Sequence, residues 1–293
     1  MTRVLVTGAT GFLGRALVPR LVASGVTVTA HGRSPTPFGD EVEYVRGDLV
    51  DPDDAERVLA PWRWDSVVNL AGPVTGGTED WTTGISVVNA HVRIGLHLRR
   101  FVKLRTRIVH ASSMQVYGDP QTQPITEEHP RAPRHLYGLA KSLAEDVWLA
   151  APELDAWVLR FPGLFSEHRK GGALYHFSRA SRAGNPLQLT ATSPTPWDVL
   201  HVDDAAEAIA RTLAAVGGTP GAINISYGEP VELADIARWF AAHAAAGSTV
   251  EQTHGVTHPV YQLAIERARE HLGWSPPALH DRLARLYAAY GAA

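Results

Sequence analysis

The chain has 293 residues, 45% hydrophobic and 19% charged, enough for a sizeable core in one large or two interleaved domains. Its formal net charge of −3 removes the basic field that nucleic-acid binding needs. The absence of cysteine excludes disulfides, thiolate metal sites and cysteine nucleophiles. No basic-then-apolar leader opens the chain, and no apolar run approaches the ~20 residues of a membrane span. The expectation is a soluble, cytoplasmic protein with no membrane partner.

Arg3-Val4-Leu5-Val6-Thr7 is a short apolar run stopped by Gly8, which predicts a buried parallel strand. Gly8-Ala9-Thr10-Gly11-Phe12-Leu13-Gly14 follows, then a helix to Ala23 closed by Ser24-Gly25. Strands are predicted from Val26 to His31 and from Val42 to Val45, and a helix from Asp51 to Leu59 with Pro52 in its first turn. A strand from Ser66 to Leu70, a long helix from Trp81 to Lys103 and a strand from Arg107 to Ala111 come next. A helix over 135–150 and a strand from Ala156 to Arg160 complete the series.

This alternation predicts an α/β fold, a doubly wound parallel sheet covered on both faces. After Pro162 the pattern loosens into glycines, prolines and short elements. Asp198 to Val202 reads as a strand returning to the sheet, and Asp204 and Glu207 stand at capping-box spacing in the helix that follows. Ile223 to Ser226 reads as a strand, with helices near 231–243, 263–272 and 278–290. The expected division is residues 1–162 plus about 197–216 in the sheet domain. About 163–196 and 217–293 then form a smaller, discontinuous C-terminal substrate domain over the strand carboxyl ends.

Two patterns carry chemistry. Gly8, Gly11 and Gly14 lie in a strand–turn–helix context, where backbone amides and the helix N-terminus can meet a pyrophosphate. Tyr137 and Lys141 are four apart on a predicted helix and share a face. A cation there favours the phenolate, so the tyrosine is expected to titrate below its usual value of about 10. At the end of the second strand, where a carboxylate would accept from a ribose 2′-hydroxyl, the chain reads Gly32-Arg33-Ser34. Arg33 can offer a bidentate contact to a 2′-phosphate, so NADP(H) is preferred and NAD(H) is the alternative.

The chain resembles the extended branch of the short-chain dehydrogenase/reductase superfamily, the NAD(P)-dependent epimerase/dehydratase family, over most of its length. The motifs that carry the resemblance are Thr7 to Gly14, Gly47-Asp48-Leu49, Asn69-Leu70-Ala71-Gly72, Ser112-Ser113-Met114-Gln115-Val116-Tyr117-Gly118, Tyr137-x-x-x-Lys141, His201-Val202-Asp203-Asp204 and Leu272-Gly273-Trp274-Ser275-Pro276. It implies a Rossmann-type sheet and a catalytic set of Ser113, Tyr137 and Lys141. Tyr137 would exchange a proton with the substrate oxygen, Ser113 would bond that oxygen, and Lys141 would bind the nicotinamide ribose. Ser112 is the competing serine. Cofactor contacts are expected at Gly8, Thr10, Gly11, Phe12, Leu13, Gly14, Arg33, Ser34, Asp48, Leu49, Leu70, Ala71, Gly72, Tyr137, Lys141, Phe161 and Pro162. Substrate contacts are expected at Pro73, Thr75, Ser113, Met114, Gln115, Gly163 and Trp197.

Departures from the pattern narrow the reaction. Met114 and Gln115 stand where sugar-nucleotide dehydratases of the family carry an acid pair, which excludes that dehydration. Gly163 and Trp197 replace an asparagine and an arginine that grip a substrate diphosphate. Arg169, Lys170, Arg179 and Arg182 are candidates to supply the charge, each reading singly as solvated surface. The expectation is NADPH-dependent reduction of a keto-sugar, nucleotide-linked, with redox-neutral nucleotide-sugar epimerisation as the alternative. A non-catalytic cofactor-binding regulatory protein is the third and weakest reading, because it needs no proton relay. No metal is expected, since His31, His91, His97, His110, His168 and His201 show no ligand spacing. Asp203 and Asp204 read as a helix cap with an ion-pair role, and Tyr117 as structural. A homodimer through helices near 84–103 and 135–150 is also implied, with Ile85, Val88, Val92 and Leu96 as its apolar positions.

Overall fold

The computed structural model describes residues 2–61, 63–75, 80–120, 122–191, 196–229, 231–244, 247–256 and 260–289. Its first half alternates strands β1 (Arg3–Thr7), β2 (Thr27–Gly32), β3 (Glu43–Arg46), β4 (Ser66–Asn69), β5 (Arg107–Ser113) and β6 (Asp155–Phe161) with helices α1 (Phe12–Ala23), α2 (Pro52–Leu59), α3 (Trp81–Phe101) and α4 (Leu136–Leu149). A 3-10 turn at Met114–Tyr117 follows β5. The second half contains β7 (Gly163–Phe165), α5 (Ala173–Arg182), β8 (Leu187–Ala191), β9 (Pro196–Trp197), β10 (Val199–His201) and α6 (Val202–Ala214). It closes with β11 (Gly221–Asn224), β12 (Val231–Glu232), α7 (Leu233–Ala242), β13 (Val250–Val256), α8 (Glu266–Leu272) and α9 (Leu279–Ala289).

Among the described residues the main sheet has seven strands in the order β11-β6-β5-β4-β1-β2-β3, all parallel. The period of two along a strand divides the core. Val4 and Val6 pack with Leu17 and Leu21 of α1 and Ile209 of α6. Leu5, Val67 and Ile108 face the other way, against Leu59 of α2, Leu98 of α3 and Trp148 of α4. Helix starts follow their caps: the Asp51 carboxylate accepts from the amides of Asp53 and Asp54, and Asp80 accepts from that of Thr83.

Three expectations are corrected. The strand at Val199–His201 does not return to the main sheet; it pairs in parallel with β7, which leaves β6 after a single residue. The edge beside β6 is taken by β11, which the sequence reading assigned to the second domain. Its residues pair in register with Trp157 to Arg160 and bury Ile223 and Asn224. The cap of α6 is His201, whose Nδ1 accepts from the Asp203 amide at 3.2 Å, not the Asp204 and Glu207 pair. The ion-pair role expected of Asp203 and Asp204 is found, and it holds α9: Arg285 donates to Asp203 at 2.7 Å, and Arg282 donates to Asp204 through Nε at 3.0 Å. The remaining short pairs, β8 with β13 and β9 with β12, build the second layer beyond the strand ends.

Candidate active site

The carboxyl ends of β1, β2, β4, β5 and β6 open into one cavity of about 1090 Å³. Every residue expected above to touch cofactor or substrate lines it, from Gly8 and Arg33 at one end to Gly163 and Trp197 at the other. Ser113, Tyr137 and Lys141, brought from β5 and α4, all face the same space.

The cofactor end is shaped by close backbone approach. Gly8 sits at φ +67°, and a β-carbon there would stand 2.8 Å from the Ala71 amide nitrogen. At Gly14 a β-carbon would stand 2.4 Å from the Ala9 carbonyl oxygen, so only glycine lets α1 start against the turn. Unlike α2 and α3, α1 has no side-chain cap, and like α3 it has no acid in its first turn. Its N-terminal partial charge faces the cavity without a carboxylate, which fits a bound pyrophosphate. Thr7 Oγ1 donates to Asn69 Oδ1 at 2.8 Å, and Asn69 Nδ2 donates to His110 Nδ1 at 3.2 Å, fixing the ends of β1, β4 and β5 together. At the β2 end the Arg33 guanidinium lies 3.6 Å from the Asp48 carboxylate. The residues present therefore fit a dinucleotide.

The two serines part company. Ser112 Oγ donates to the fully buried Glu145, whereas Ser113 Oγ accepts from the Gln115 amide at 3.2 Å and caps the 3-10 turn. Lys141 Nζ donates to the Ala111 carbonyl at 2.8 Å and lies 5.8 Å from the centre of the Tyr137 ring. The expected low tyrosine pKa is not found. Burial pushes the Tyr137 phenol up to about 12, and the cation that pulls it back is Arg169. Burial likewise brings Lys141 down to about 8, against the attraction of Glu145. The same low-dielectric setting that disfavours a phenolate also weakens the lysine charge expected to stabilise it.

Other sequence candidates lie elsewhere. The Tyr117 hydroxyl donates to Asn224 Oδ1 at 2.7 Å and accepts from Arg160 at 2.8 Å, outside the cavity lining. His91 packs edge-on to Tyr137, with ring centres 6.1 Å apart, and donates through Nε2 to the Pro73 carbonyl. His97 donates through Nδ1 to the Leu49 carbonyl. Among the described residues no group of His, Asp and Glu is arranged to hold a metal ion. The sequence reading missed His31, Leu233 and Tyr261 as cavity residues. His31 follows the alternation of β2, which shows that it leaves the Ala30 face but not that it meets the cavity. Leu233 and Tyr261 stand in no motif and arrive only by tertiary packing.

The model of the NAD-dependent epimerase/dehydratase family matches residues 4–226. The chain belongs to this family. It is 29% identical to UDP-glucose 4-epimerase of Mycolicibacterium smegmatis, over 97% of this chain and 96% of that one. It is 27% identical to dTDP-6-deoxy-L-talose 4-dehydrogenase (NAD(P)(+)) of Kitasatospora kifunensis, over 99% and 96% of the two chains. A solved structure of MoeE5 with UDP-glucuronic acid and NAD has the same fold, with TM-score 0.84, 24% identity and 99% of each chain covered. The family member described here is thus a nicotinamide-dependent enzyme of the extended short-chain dehydrogenase/reductase type. No described helix is long and apolar enough to cross a membrane.

Proposed function

We propose that this enzyme epimerises a nucleotide-linked sugar through reversible oxidation of one carbinol carbon. The observation that carries the reading is the single cavity shared by the glycine turn, Ser113, Tyr137 and Lys141. The near full-length likeness to a UDP-glucose 4-epimerase supports the substrate class. A bound nicotinamide would supply the hydride acceptor and donor. Tyr137 would take the hydroxyl proton of the carbon being oxidised and return it to the same oxygen when that carbon is reduced again. Ser113 would bond the same oxygen, and Lys141 would hold the nicotinamide ribose. The glycine turn would hold the pyrophosphate, Asp48 and Leu49 the adenine, and Leu70 to Gly72 the nicotinamide ribose; all of them line the cavity. Pro73, Thr75, Met114, Gln115, Gly163 and Trp197 border the substrate. Met114 and Gln115 exchange no protons, so the proposal includes no elimination step.

A second reading, net reduction of a keto-sugar by NADPH, is favoured by the β2 end. A β-carbon at Gly32 would stand 2.7 Å from Thr10 Oγ1 and 2.9 Å from the Tyr44 phenol oxygen, so an acidic side chain has no room without moving both. Arg33 remains to meet a 2′-phosphate. One experiment separates the two readings. UDP-glucose converted without change in nicotinamide absorbance supports epimerisation, whereas stoichiometric NADPH consumption with a keto-sugar supports reduction. In the same preparation, Arg33→Ala is expected to weaken NADPH binding about tenfold and NADH binding little, by fluorescence titration. Equal loss for both cofactors would remove Arg33 from 2′-phosphate recognition.

The partner proposed for the helical face is a second copy of the chain. Trp81 and Leu96 of α3 and Leu139 and Leu143 of α4 are exposed apolar residues on two packed helices, while Val88 of the expected stripe is turned inward. Sedimentation velocity is expected to give a dimer that Leu143→Glu converts to monomer; a wild-type monomer would defeat this reading.

A further inference from the structure

We propose that Arg169 binds a diphosphate oxygen inside the cavity, as its recognition cation between the glycine turn and Tyr137. The inference rests on the reading of this cavity as a site for a dinucleotide and a nucleotide-linked sugar. Two diphosphates entering one cavity bring several negative charges into a partly dry space, and α1 has a single N-terminus to offer.

The cationic side chains available are few. Among the described residues, Arg33, Lys141 and Arg169 are the lysines and arginines that line the cavity. Arg33 stands beside Asp48 at the end of β2. Lys141 is buried under the tyrosine and tied to the Ala111 carbonyl. Of the other three basic candidates, Arg179 is folded onto Tyr175 and Arg182 onto the Tyr287 ring and carbonyl, and Lys170 is not in the lining. Leu164, Trp197, Leu233 and Tyr261 also line the cavity, and none of them carries positive charge. Residues 76–79, 192–195 and 257–259 contain no lysine or arginine.

Arg169 is held in a defined place. Its Nη1 donates to the Leu164 carbonyl, and its guanidinium lies 5.8 Å from the centre of the Phe12 ring, the first residue of α1. Its field reaches the Tyr137 phenol. The cation therefore spans the gap from the phosphate-facing helix end to the proton-transfer residue. A guanidinium presents several donors in a plane and suits a phosphoryl group better than an ammonium does.

The diphosphate has two sources, cofactor or substrate, and binding measurements distinguish them. Wild type, Arg169→Gln and Arg169→Lys would be titrated with NADPH and NADH by fluorescence, and with UDP by calorimetry at saturating cofactor. Arg169 is exposed, so the fold tolerates both changes. Arg169→Gln is expected to weaken one of these ligands about tenfold, with partial recovery in Arg169→Lys and a smaller difference at high salt. Loss on the nicotinamide arm assigns the cofactor diphosphate; loss on the UDP arm assigns the substrate's. Unchanged affinities on both arms overturn the proposal and leave the function standing. A wild-type protein that binds none of these ligands overturns both.

Discussion

Tyr137→Phe is expected to lower turnover by about 10²–10⁴-fold while leaving nicotinamide affinity nearly intact. Phenylalanine keeps the ring that packs edge-on to His91 and lies near Lys141, so α4 keeps its seat. What is lost is the phenol hydroxyl proposed to give and take the substrate proton. Burial holds this phenol protonated, up to about 12, which suits donation to a carbonyl oxygen. In the proposed oxidative direction the proton leaves toward Tyr137, and the nearby Arg169 cation favours the charge that results. Steady-state assays beside fluorescence titration check the prediction. Near-normal turnover would take Tyr137 out of the chemistry.

Glu145→Ala is expected to destabilise the protein by about 3–5 kcal/mol, the cost of stranding a buried charge. Glu145 is 0% exposed and lies one turn beyond Lys141 on α4. It accepts from Arg160 Nε at 3.0 Å and Nη2 at 2.7 Å, from Arg131 at 3.4 Å and from Ser112. Arg160 is itself only 3% exposed and passes the network on to Tyr117 and the Glu127 carbonyl. Removing the carboxylate leaves the Arg160 charge buried without its counterion. Because the network ties α4 to β5 and β6, it also fixes where Tyr137 and Lys141 stand relative to Ser113. Thermal and urea unfolding should register the loss. The double variant Glu145→Leu with Arg160→Met should regain much of it by removing both charges. Wild-type stability in Glu145→Ala would mean the pair contributes little.

The alternation of short Val- and Leu-rich runs with helices at loop lengths typical of parallel sheets made most of the fold legible. Helix α1, from the glycine turn to Ala23, ends where its breakers predict. What failed to show was pairing at the sheet margins. Gly221–Asn224 and Val199–His201 are both short and apolar, and nothing local says which of them continues the main sheet. Capping was misread at α6 for a related reason: Asp204 and Glu207 have the right spacing, but the chain enters the helix at His201, and both acids find arginine partners.

By itself the sequence determined the sheet domain's order of elements, the glycine turn, and the Ser113, Tyr137 and Lys141 set, because each depends on local spacing along a strand end or helix face. Only the tertiary structure decided which charges line the cavity. Four basic residues near one another in sequence were equal candidates, and folding points Arg169 into the lining while Tyr175 and Tyr287 claim two of the others. It also reversed the expected tyrosine pKa. Desolvation depends on what covers a group from every side, and residues distant in the chain supply that cover.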